Sequence, residues 1–330
     1  MSRAAKRRAK RAKKMSAPNG TGEIQLTNPV TAHFEAFIFG NATKCDRVVE
    51  QDSAKGQTVA ICGAGPSLAQ HTDVLAEADQ VWGVNSAAPW LHDHGHPVTH
   101  ALTIDQTPTM LKEWVSKPPV EYLLASTVHP HLVQMLEGQS VTFFHNFVGI
   151  KKPPVCGEDD AGNAWVMTYE DWMYGYLYPD TCRAGSGLNG VTRAVDIARF
   201  MGFERIILLG ADCAMTTTGE MGDVVQGSPE ATAWLAKNTV FHVDGESAVT
   251  NGQSPMVFHG TIDGRYWMTK PDLMISAIQI ARWIQAGSVE CVGDTLPNAL
   301  KDKDDAFFAR LPALKSGSGE PIEIPKAQAN

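Results

Sequence analysis

Short apolar runs alternate along this chain with segments that carry apolar residues at helical spacing. Runs of this length that end at a glycine or a polar residue are typical of buried β-strands. We predict strands at 58–62, 79–85, 98–105, 121–126, 140–144, 204–210 and 289–292. Helices are predicted after Pro66 and over 86–91, 129–136, 191–201 and 271–286. This alternation predicts an α/β fold, a Rossmann-like and mainly parallel sheet with helices on both faces.

The regular pattern covers 57–313, and two stretches interrupt it. The first, 149–182, is rich in proline, glycine and aromatic residues and is predicted to be a lid or insertion. Its aromatic part, 165–178, forms either an acceptor platform or a small satellite core. The second, 214–258, is predicted to be irregular. The remaining segments are a basic, disordered arm at 1–20, an N-terminal extension at 21–56 and a C-terminal tail at 314–330.

Polar or glycine residues follow several predicted strands directly. They are Gly63 and Gly65, Asn85, Asp105 and Asp212. In parallel sheets, ligands bind at the carboxyl ends of the strands. The sequence therefore predicts a ligand site at this edge of the sheet.

The segment GAGPSL at 63–68 predicts a strand-to-helix turn. Gly63 and Gly65 allow close backbone approach, and a helix N-terminus offers free N–H groups to an anion. Ser67 would cap the helix or contact the ligand. The third glycine of the dinucleotide fingerprint is replaced by Leu68, which disfavours NAD. A tight turn without a ligand remains the alternative.

A second glycine-rich segment, AGSG at 184–187, precedes another predicted helix. It would provide a second contact for a phosphate or ribose. The alternative is a simple N-cap by Ser186.

Charge is distributed unevenly over the 330 residues, whose formal net charge is −8. Residues 1–14 contain eight Lys or Arg and no acid, which leaves 20 basic residues against 36 acidic ones, a net −16, on the rest. The basic arm would bind nucleic acid or another polyanion, or would be a solvated tail. No apolar run approaches a membrane span. We therefore predict a cytoplasmic protein that does not bind a membrane. Whether it forms a homo-oligomer stays open.

Three further groups are candidates for chemistry. His92, His94 and His96 alternate on one segment and could bind a metal, although a polar loop is the default. Asp105 and Asp212, at neighbouring strand ends, could hold Mg²⁺ against phosphates. His259, Asp263 and Arg265 are predicted to cluster in a loop before the last helix, where they suit proton transfer and phosphate binding or form a plain surface loop.

Several motifs, in this order, resemble one known family. ICGAGPSL at 61–68, GVN at 83–85, TID at 103–105 and the segment from Gly185 to Cys213 are similar to the DUF115 family. That family is also called MptE-like, after an archaeal 6-hydroxymethyl-dihydropterin pyrophosphokinase. The same motif order resembles bacterial sialyltransferases of the variant GT-A type, which bind CMP-sugar. The resemblance covers roughly 57–300, and HGTIDGRYW at 259–267 is similar to DUF115 proteins encoded by bacteriophages.

The resemblance implies that 57–313 is a nucleotide-binding transferase domain. It implies nucleotide contacts from Gly63, Ala64, Gly65, Pro66, Ser67, Asn85, Ser186, Gly187 and Asp212. The sialyltransferases carry tyrosines after the strand equivalent to 204–210, and ADCAMTTTGE at 211–220 has none.

Three functions stay open at this point. The preferred one is a glycosyltransferase with a CMP- or UDP-linked sugar donor and an unidentified acceptor, in which His259, Asp105 and Arg265 are catalytic. The second is a Mg²⁺-dependent pyrophosphokinase that uses ATP, with Asp105 and Asp212 as metal ligands. The third is a non-catalytic phage assembly or nucleotide-binding protein, whose location would be the host cytoplasm.

Overall fold

The fold is that of a computed structural model. It describes residues 24–26, 34–42, 44, 46–108, 110–115, 118–148, 152–177, 182–185, 188–214, 239–242, 248–249, 256–262, 265–269, 271–309 and 314–316. The basic arm at 1–14 lies outside these residues.

The strands, in chain order, are β1 (Ile24–Leu26), β2 (Thr58–Cys62), β3 (Gln80–Val84), β4 (His100–Thr103), β5 (Glu121–Ala125), β6 (Val141–Asn146), β7 (Val155–Glu158), β8 (Ala164–Met167), β9 (Arg183–Ala184), β10 (Arg205–Leu209), β11 (Thr239–His242), β12 (Ala248–Val249), β13 (Met256–Ile262), β14 (Arg265–Thr269), β15 (Glu290–Cys291) and β16 (Leu314–Ser316). The α-helices are α1 (Phe34–Ala42), α2 (Ala87–Asp93), α3 (Met110–Glu113), α4 (Pro130–Met135), α5 (Tyr169–Leu177), α6 (Gly190–Phe200), α7 (Pro271–Gln285), α8 (Leu296–Leu300) and α9 (Asp305–Ala309).

An eight-stranded parallel sheet forms the centre of the fold, in the order β15-β10-β2-β3-β4-β5-β6-β9. This confirms the predicted α/β architecture, and all seven predicted strands are part of the sheet. The chain runs outward from β2 to β9 and then returns to place β10 on the other side of β2. The strand order thus reverses between β2 and β10, which is where a ligand crevice is expected in such sheets.

Alternate residues of the central strands pack on opposite faces of the sheet. Val59 and Ile61 of β2 belong to one buried cluster, whereas Ala60 and Cys62 belong to another. Such burial on both faces explains why these strands read as continuous apolar runs. The helix predicted over 191–201 is present as α6, and its apolar residues Val191, Ala194, Val195, Ile197 and Ala198 are buried. Thr192 and Arg193 are buried as well, so the helix is covered on more than one face.

The structure corrects the prediction of an irregular segment at 214–258. Strands β11 and β12 and the start of β13 lie within it, and the four strands β12-β11-β13-β14 form a second sheet. His259 and Arg265, predicted to lie in a loop, are on β13 and β14, which pair antiparallel. The signal was present, because Asp263-Gly264 separates two runs rich in β-branched and aromatic residues, as in a two-residue hairpin.

Two smaller differences concern local elements. The helix predicted after Pro66 is a short 3₁₀ segment, Pro66–Gln70, followed by another at Thr72–Glu77. No side chain caps the first segment, which favours a short helix. The start of the predicted tail is strand β16, which pairs with β1.

The predicted insertion contains the antiparallel hairpin β7–β8 and helix α5. Met173 and Tyr174 of α5 pack with Ile38 in a small separate cluster, as a satellite core would. Trp172 and Val166 are exposed, at 39% and 68%. Among the described helices, none is both long and apolar enough to cross a membrane.

Candidate functional site

The glycine turn after β2 packs against the segment that follows β10. The Gly63 amide donates to Leu209 O at 2.8 Å, and the Gly65 amide donates to Gly210 O at 3.0 Å. A Cβ on Gly63 would lie 2.5 Å from Gly210 O, and one on Gly65 would overlap Asp212 Oδ2. Both glycines are therefore required by the contact between the two segments, whether or not a ligand also approaches them.

Ser67 and Asp212 are partners of each other. The Ser67 hydroxyl donates to Asp212 Oδ2 at 2.8 Å, and the Ser67 amide donates to the same oxygen at 3.3 Å. Both residues are buried, at 6% and 5% exposure. The predicted role of Ser67 as a helix cap is wrong, because its hydroxyl bonds across the crevice and the N-cap is Gly65.

The first turn of α6 lies between the ends of β2 and β3. A Cβ on Gly190 would lie 2.5 Å from Val84 Cγ1, and one on Gly63 would lie 3.0 Å from Val191 Cγ2. The helix is capped by Asn189, whose side chain accepts from the Thr192 amide at 2.9 Å. Asn189, rather than Ser186, is thus the N-cap.

Amide groups without partners are present on this edge. Ala64 is exposed, and its N–H makes no hydrogen bond within the described residues; nor do the N–H groups of Gly190 and Val191 at the start of α6. Unpaired amides at a helix start favour an anion. We call the backbone N–H groups of Ala64, Gly190 and Val191 the unpaired amides of the site. Ser186 and Gly187, the other predicted nucleotide contacts, lie outside the described residues.

Asn85 is strained at the end of β3. Its φ is +52°, in the left-handed region that non-glycine residues rarely adopt. Its side-chain Oδ1 is buried without a hydrogen-bond partner, while its backbone amide donates to Leu102 O. Strain combined with an unpaired buried polar atom marks positions where ligands bind. Of the predicted nucleotide contacts, Asn85 has the geometry most suited to a ligand.

Asp105 and Asp212 are not at neighbouring strand ends. Asp105 follows β4 and Asp212 follows β10, three strand positions apart, which corresponds to roughly 14 Å. The predicted neighbouring strand ends are therefore wrong, which argues against one Mg²⁺ ion bound directly by both carboxylates. Asp105 lies next to the Asn85 strand, is partly exposed, and accepts from the Thr107 amide at 2.8 Å.

The hairpin β13–β14 is attached to the crevice at one end. Thr269 Oγ1 donates to Cys213 O, immediately after Asp212. His259 pairs with Met268, next to this attachment, whereas Arg265 pairs with Ile262 at the far end of the ladder. The two positions are thus three pairs apart, roughly 10 Å along the strands. His259 is the nearer of the two to the crevice.

The three histidines at 92–96 are not arranged as a metal site. His92 is on α2, and the rings of His94 and His96 both stack on Trp90, with centroids 4.4 and 5.6 Å away. No group of three potential ligands is found among the described residues.

A buried polar network after β5 and β6 was missed by the sequence analysis. His145 Nδ1 lies 3.0 Å from Ser126 Oγ, and its Nε2 lies 3.3 Å from Glu170 Oε1. Tyr174 OH lies 3.1 Å from the same Ser126 oxygen. All four side chains are at most 1% exposed. Polar residues after the apolar runs EYLLA and TFF were the available signal.

Burial lowers the pKa of His145 to about 4, although the hydrogen bond to Glu170 raises it in part. The imidazole is therefore neutral at pH 7. Its Nε2–H donates to Glu170, and its Nδ1 accepts from the Ser126 hydroxyl. The network thus ties α5 to the ends of two central strands.

Stability is expected to fall as the pH falls from about 6.5 to about 4. Burial also lowers the pKa of His100 to about 4. In the unfolded chain both imidazoles bind protons near pH 6.5, so the unfolded state binds more protons in this window. The full contribution is present above pH 6.5, and about 3 kcal/mol from His145, with less from the partly exposed His100, is lost by pH 4. Urea unfolding across this range measures it.

Two substitutions separate this effect from general acid sensitivity. His145→Gln is expected to reduce the pH slope, and His92→Gln, which removes an exposed imidazole on α2, is the control. Equal slopes in both variants would contradict the assignment to His145.

The parallel sheet and the reversal of its strand order between β2 and β10 define a Rossmann-like α/β protein. A family model described as "6-hydroxymethylpterin diphosphokinase MptE-like" matches residues 38–218, more than half of the chain. The chain belongs to this MptE-like family.

No curated protein matches the sequence. Among solved structures, the MAf glycosyltransferase from Magnetospirillum magneticum AMB-1 is similar at 12% identity with a TM-score of 0.47. The match covers 86% of this chain and 42% of the other, so this chain spans less than half of that protein's length.

Proposed function

We propose that this protein is a nucleotide-utilising transferase whose donor binds at the edge formed by Asn85 and the unpaired amides. The observation that carries the proposal is the strained Asn85, whose buried side-chain oxygen has no partner. Family membership supports the same class of reaction. The unpaired amides would receive the phosphates, since a helix start favours negative charge.

The preferred reaction is glycosyl transfer from a CMP- or UDP-linked sugar. His259 would take the proton from the acceptor hydroxyl, whose oxygen then attacks the anomeric carbon of the sugar. The bond to the nucleotide breaks, and the unpaired amides would stabilise the negative charge on the departing phosphate. Arg265, predicted for this role, lies at the far end of the hairpin. Asp105, on the strand next to Asn85, would orient a sugar hydroxyl. The attachment of the β13–β14 hairpin at Cys213 supports His259 as the nearer group.

The family description favours a second candidate, a Mg²⁺-dependent pyrophosphokinase that uses ATP. The carboxylate of Asp105 suits a hard cation bound to phosphates. Asp212 follows a strand three positions away and already accepts from Ser67, so it is less suited to be a second ligand of the same ion. In this case Asp105 would bind Mg²⁺ with oxygens of the substrate.

Nucleotide binding is expected to raise the melting temperature of the protein. The screen uses CMP, UDP, GDP, ADP and ATP, each with and without Mg²⁺. A ligand at 100 times its Kd that binds only the folded state adds about 2.7 kcal/mol. Asn85→Gly is the matched variant, since glycine tolerates the left-handed backbone but lacks the amide. If the loss of the side-chain amide weakens binding about tenfold, the stabilisation at the same ligand concentration falls from about 2.7 to about 1.4 kcal/mol.

The pattern of stabilisation distinguishes the candidates. A shift with CMP or UDP in the absence of metal favours glycosyl transfer, and a shift with ATP only when Mg²⁺ is present favours the pyrophosphokinase. If no nucleotide raises the melting temperature, the proposed function fails, and a non-catalytic assembly role becomes the better hypothesis. An equal shift in Asn85→Gly would remove Asn85 from the site.

A further inference from the structure

A buried tryptophan far along the chain is bonded to the backbone of Asn85. The Trp114 Nε1–H donates to Asn85 O at 2.9 Å, across 29 residues. The Asn85 carbonyl also accepts from the Ala88 amide at 3.3 Å, and the Asn85 amide donates to Leu102 O. Both peptide groups of this strained residue are therefore fixed by neighbours.

Trp114 is itself held rigidly. Its side chain is fully buried, and its ring packs on Tyr122 with centroids 5.4 Å apart. The Tyr122 hydroxyl donates in turn to Pro118 O at 2.7 Å. Because the indole has little freedom to rotate in a close-packed core, its N–H defines where the Asn85 carbonyl must lie.

The direction of a carbonyl is coupled to the backbone dihedrals of its residue. A left-handed conformation at a non-glycine residue costs on the order of 1–3 kcal/mol and persists only when its surroundings over-determine it. The Trp114 hydrogen bond is one such determinant. It links a strained residue on the ligand-binding edge to the core beneath β4 and β5.

We propose that Trp114 is a positioning residue, which holds Asn85 in the conformation that presents its side-chain amide to the nucleotide. This inference rests on the proposed function for its ligand. Trp114 is not a catalytic residue, since it is fully buried and acts only through Asn85. Its bonding to Asn85 distinguishes it from a tryptophan that merely fills the core.

Trp82 provides a matched control within the same core. It is also fully buried, and its Nε1–H donates to a side chain, Gln80 Oε1, at 3.0 Å. Trp82 and Trp114 belong to the same hydrophobic cluster. Replacing either by phenylalanine removes one indole N–H and some buried area, but only Trp114→Phe removes a hydrogen bond from the Asn85 carbonyl, which keeps the one from the Ala88 amide.

The experiment measures the Kd of the nucleotide that stabilises the wild type, by calorimetry, in Trp114→Phe and Trp82→Phe. We expect Trp114→Phe to weaken binding about tenfold, the size of one lost hydrogen bond, and Trp82→Phe to change it less than about twofold. Similar losses of affinity in both variants would overturn the proposal, because they would reflect core damage alone.

A double-mutant cycle tests whether Trp114 acts through Asn85. In an Asn85→Gly background, Trp114→Phe is expected to weaken nucleotide binding no further, since the amide it positions is gone. If the two effects add, Trp114 acts by another route and the proposal is wrong.

A readout without nucleotide keeps the inference separate from the proposed function. The ¹³Cα and ¹³Cβ chemical shifts of Asn85 report its backbone conformation in selectively labelled protein. They are expected to leave the left-handed range in Trp114→Phe and to stay there in Trp82→Phe. If the wild type binds no nucleotide, the proposed function fails, while these shifts still decide whether Trp114 holds Asn85. Unchanged shifts in Trp114→Phe would refute that role.

Discussion

Gly65→Ala is expected to lower the free energy of unfolding by about 3 kcal/mol or more, a large part of the total for a domain. The added Cβ would overlap Asp212 Oδ2 and lie 2.6 Å from Gly210 O. Neither atom can move away easily, because Asp212 accepts two bonds from Ser67 and Gly210 accepts from the Gly65 amide. Urea unfolding followed by tryptophan fluorescence measures the loss.

The cost of Gly65→Ala comes from overlap rather than from backbone strain. Gly65 has φ −70° and ψ 152°, dihedrals that any residue adopts. Relief of the overlap would require the turn after β2 to move away from the segment after β10. The variant should therefore also lose the nucleotide response proposed for this edge.

Gly40→Ala is the matched control for this substitution. Gly40 is exposed on α1, and a Cβ there would lie 3.9 Å from Pro130 Cγ, an ordinary contact. Because alanine favours a helix over glycine by about 1 kcal/mol, this variant should be as stable as the wild type or slightly more stable. Equal losses at Gly40 and Gly65 would contradict the packing account of the glycine turn.

The sequence predicts that these polar residues lie at one edge of the sheet, as they do. It does not predict which of them are neighbours along that edge. The apolar runs place Ser67 and Asp212 at strand ends, and parallel strands bring their ends to one edge. Which ends become neighbours depends on strand order, and β10 lies beside β2 although Ser67 and Asp212 are 145 positions apart. Periodicity carries no information on that order. Because the strand order was unknown, Asp105 and Asp212 were wrongly predicted to lie at neighbouring strand ends.

Local signals explain most of the remaining differences. The Asp-Gly pair at 263–264 predicts a hairpin from neighbouring residues alone, so β13 and β14 could have been found. The two residues of β9 are too few to show an alternating pattern. Contacts such as Trp114 to Asn85 or Glu170 to His145 join separate elements, and no spacing rule identifies them. The strain of Asn85 likewise appears only in the folded backbone.

Glu170→Ala is expected to destabilise the protein by about 3 kcal/mol, because it removes one partner from a buried polar network. Glu170 Oε1 accepts from the Val148 amide at 2.8 Å and from His145 Nε2 at 3.3 Å. The carboxylate is 1% exposed, so water cannot replace it at these donors. The substitution would leave the buried N–H of His145 and the partly buried N–H of Val148 without this acceptor, and a cavity beside them.

Asp171→Ala, one residue further on, provides the contrast. Asp171 forms an ion pair with Arg183 at 2.6 Å and accepts from the Thr168 hydroxyl at 2.7 Å before α5. Both contacts are exposed, and an exposed ion pair contributes at most about 1 kcal/mol. Amide hydrogen exchange adds a local readout, since the amides of α5 should exchange faster in Glu170→Ala than in Asp171→Ala. Equal effects would mean that the network does not hold α5 in place. Loss confined to Glu170→Ala would instead show that the positions of α5 and its exposed Trp172 depend on the ends of β5 and β6. These ends lie at the same edge of the sheet as the proposed nucleotide site.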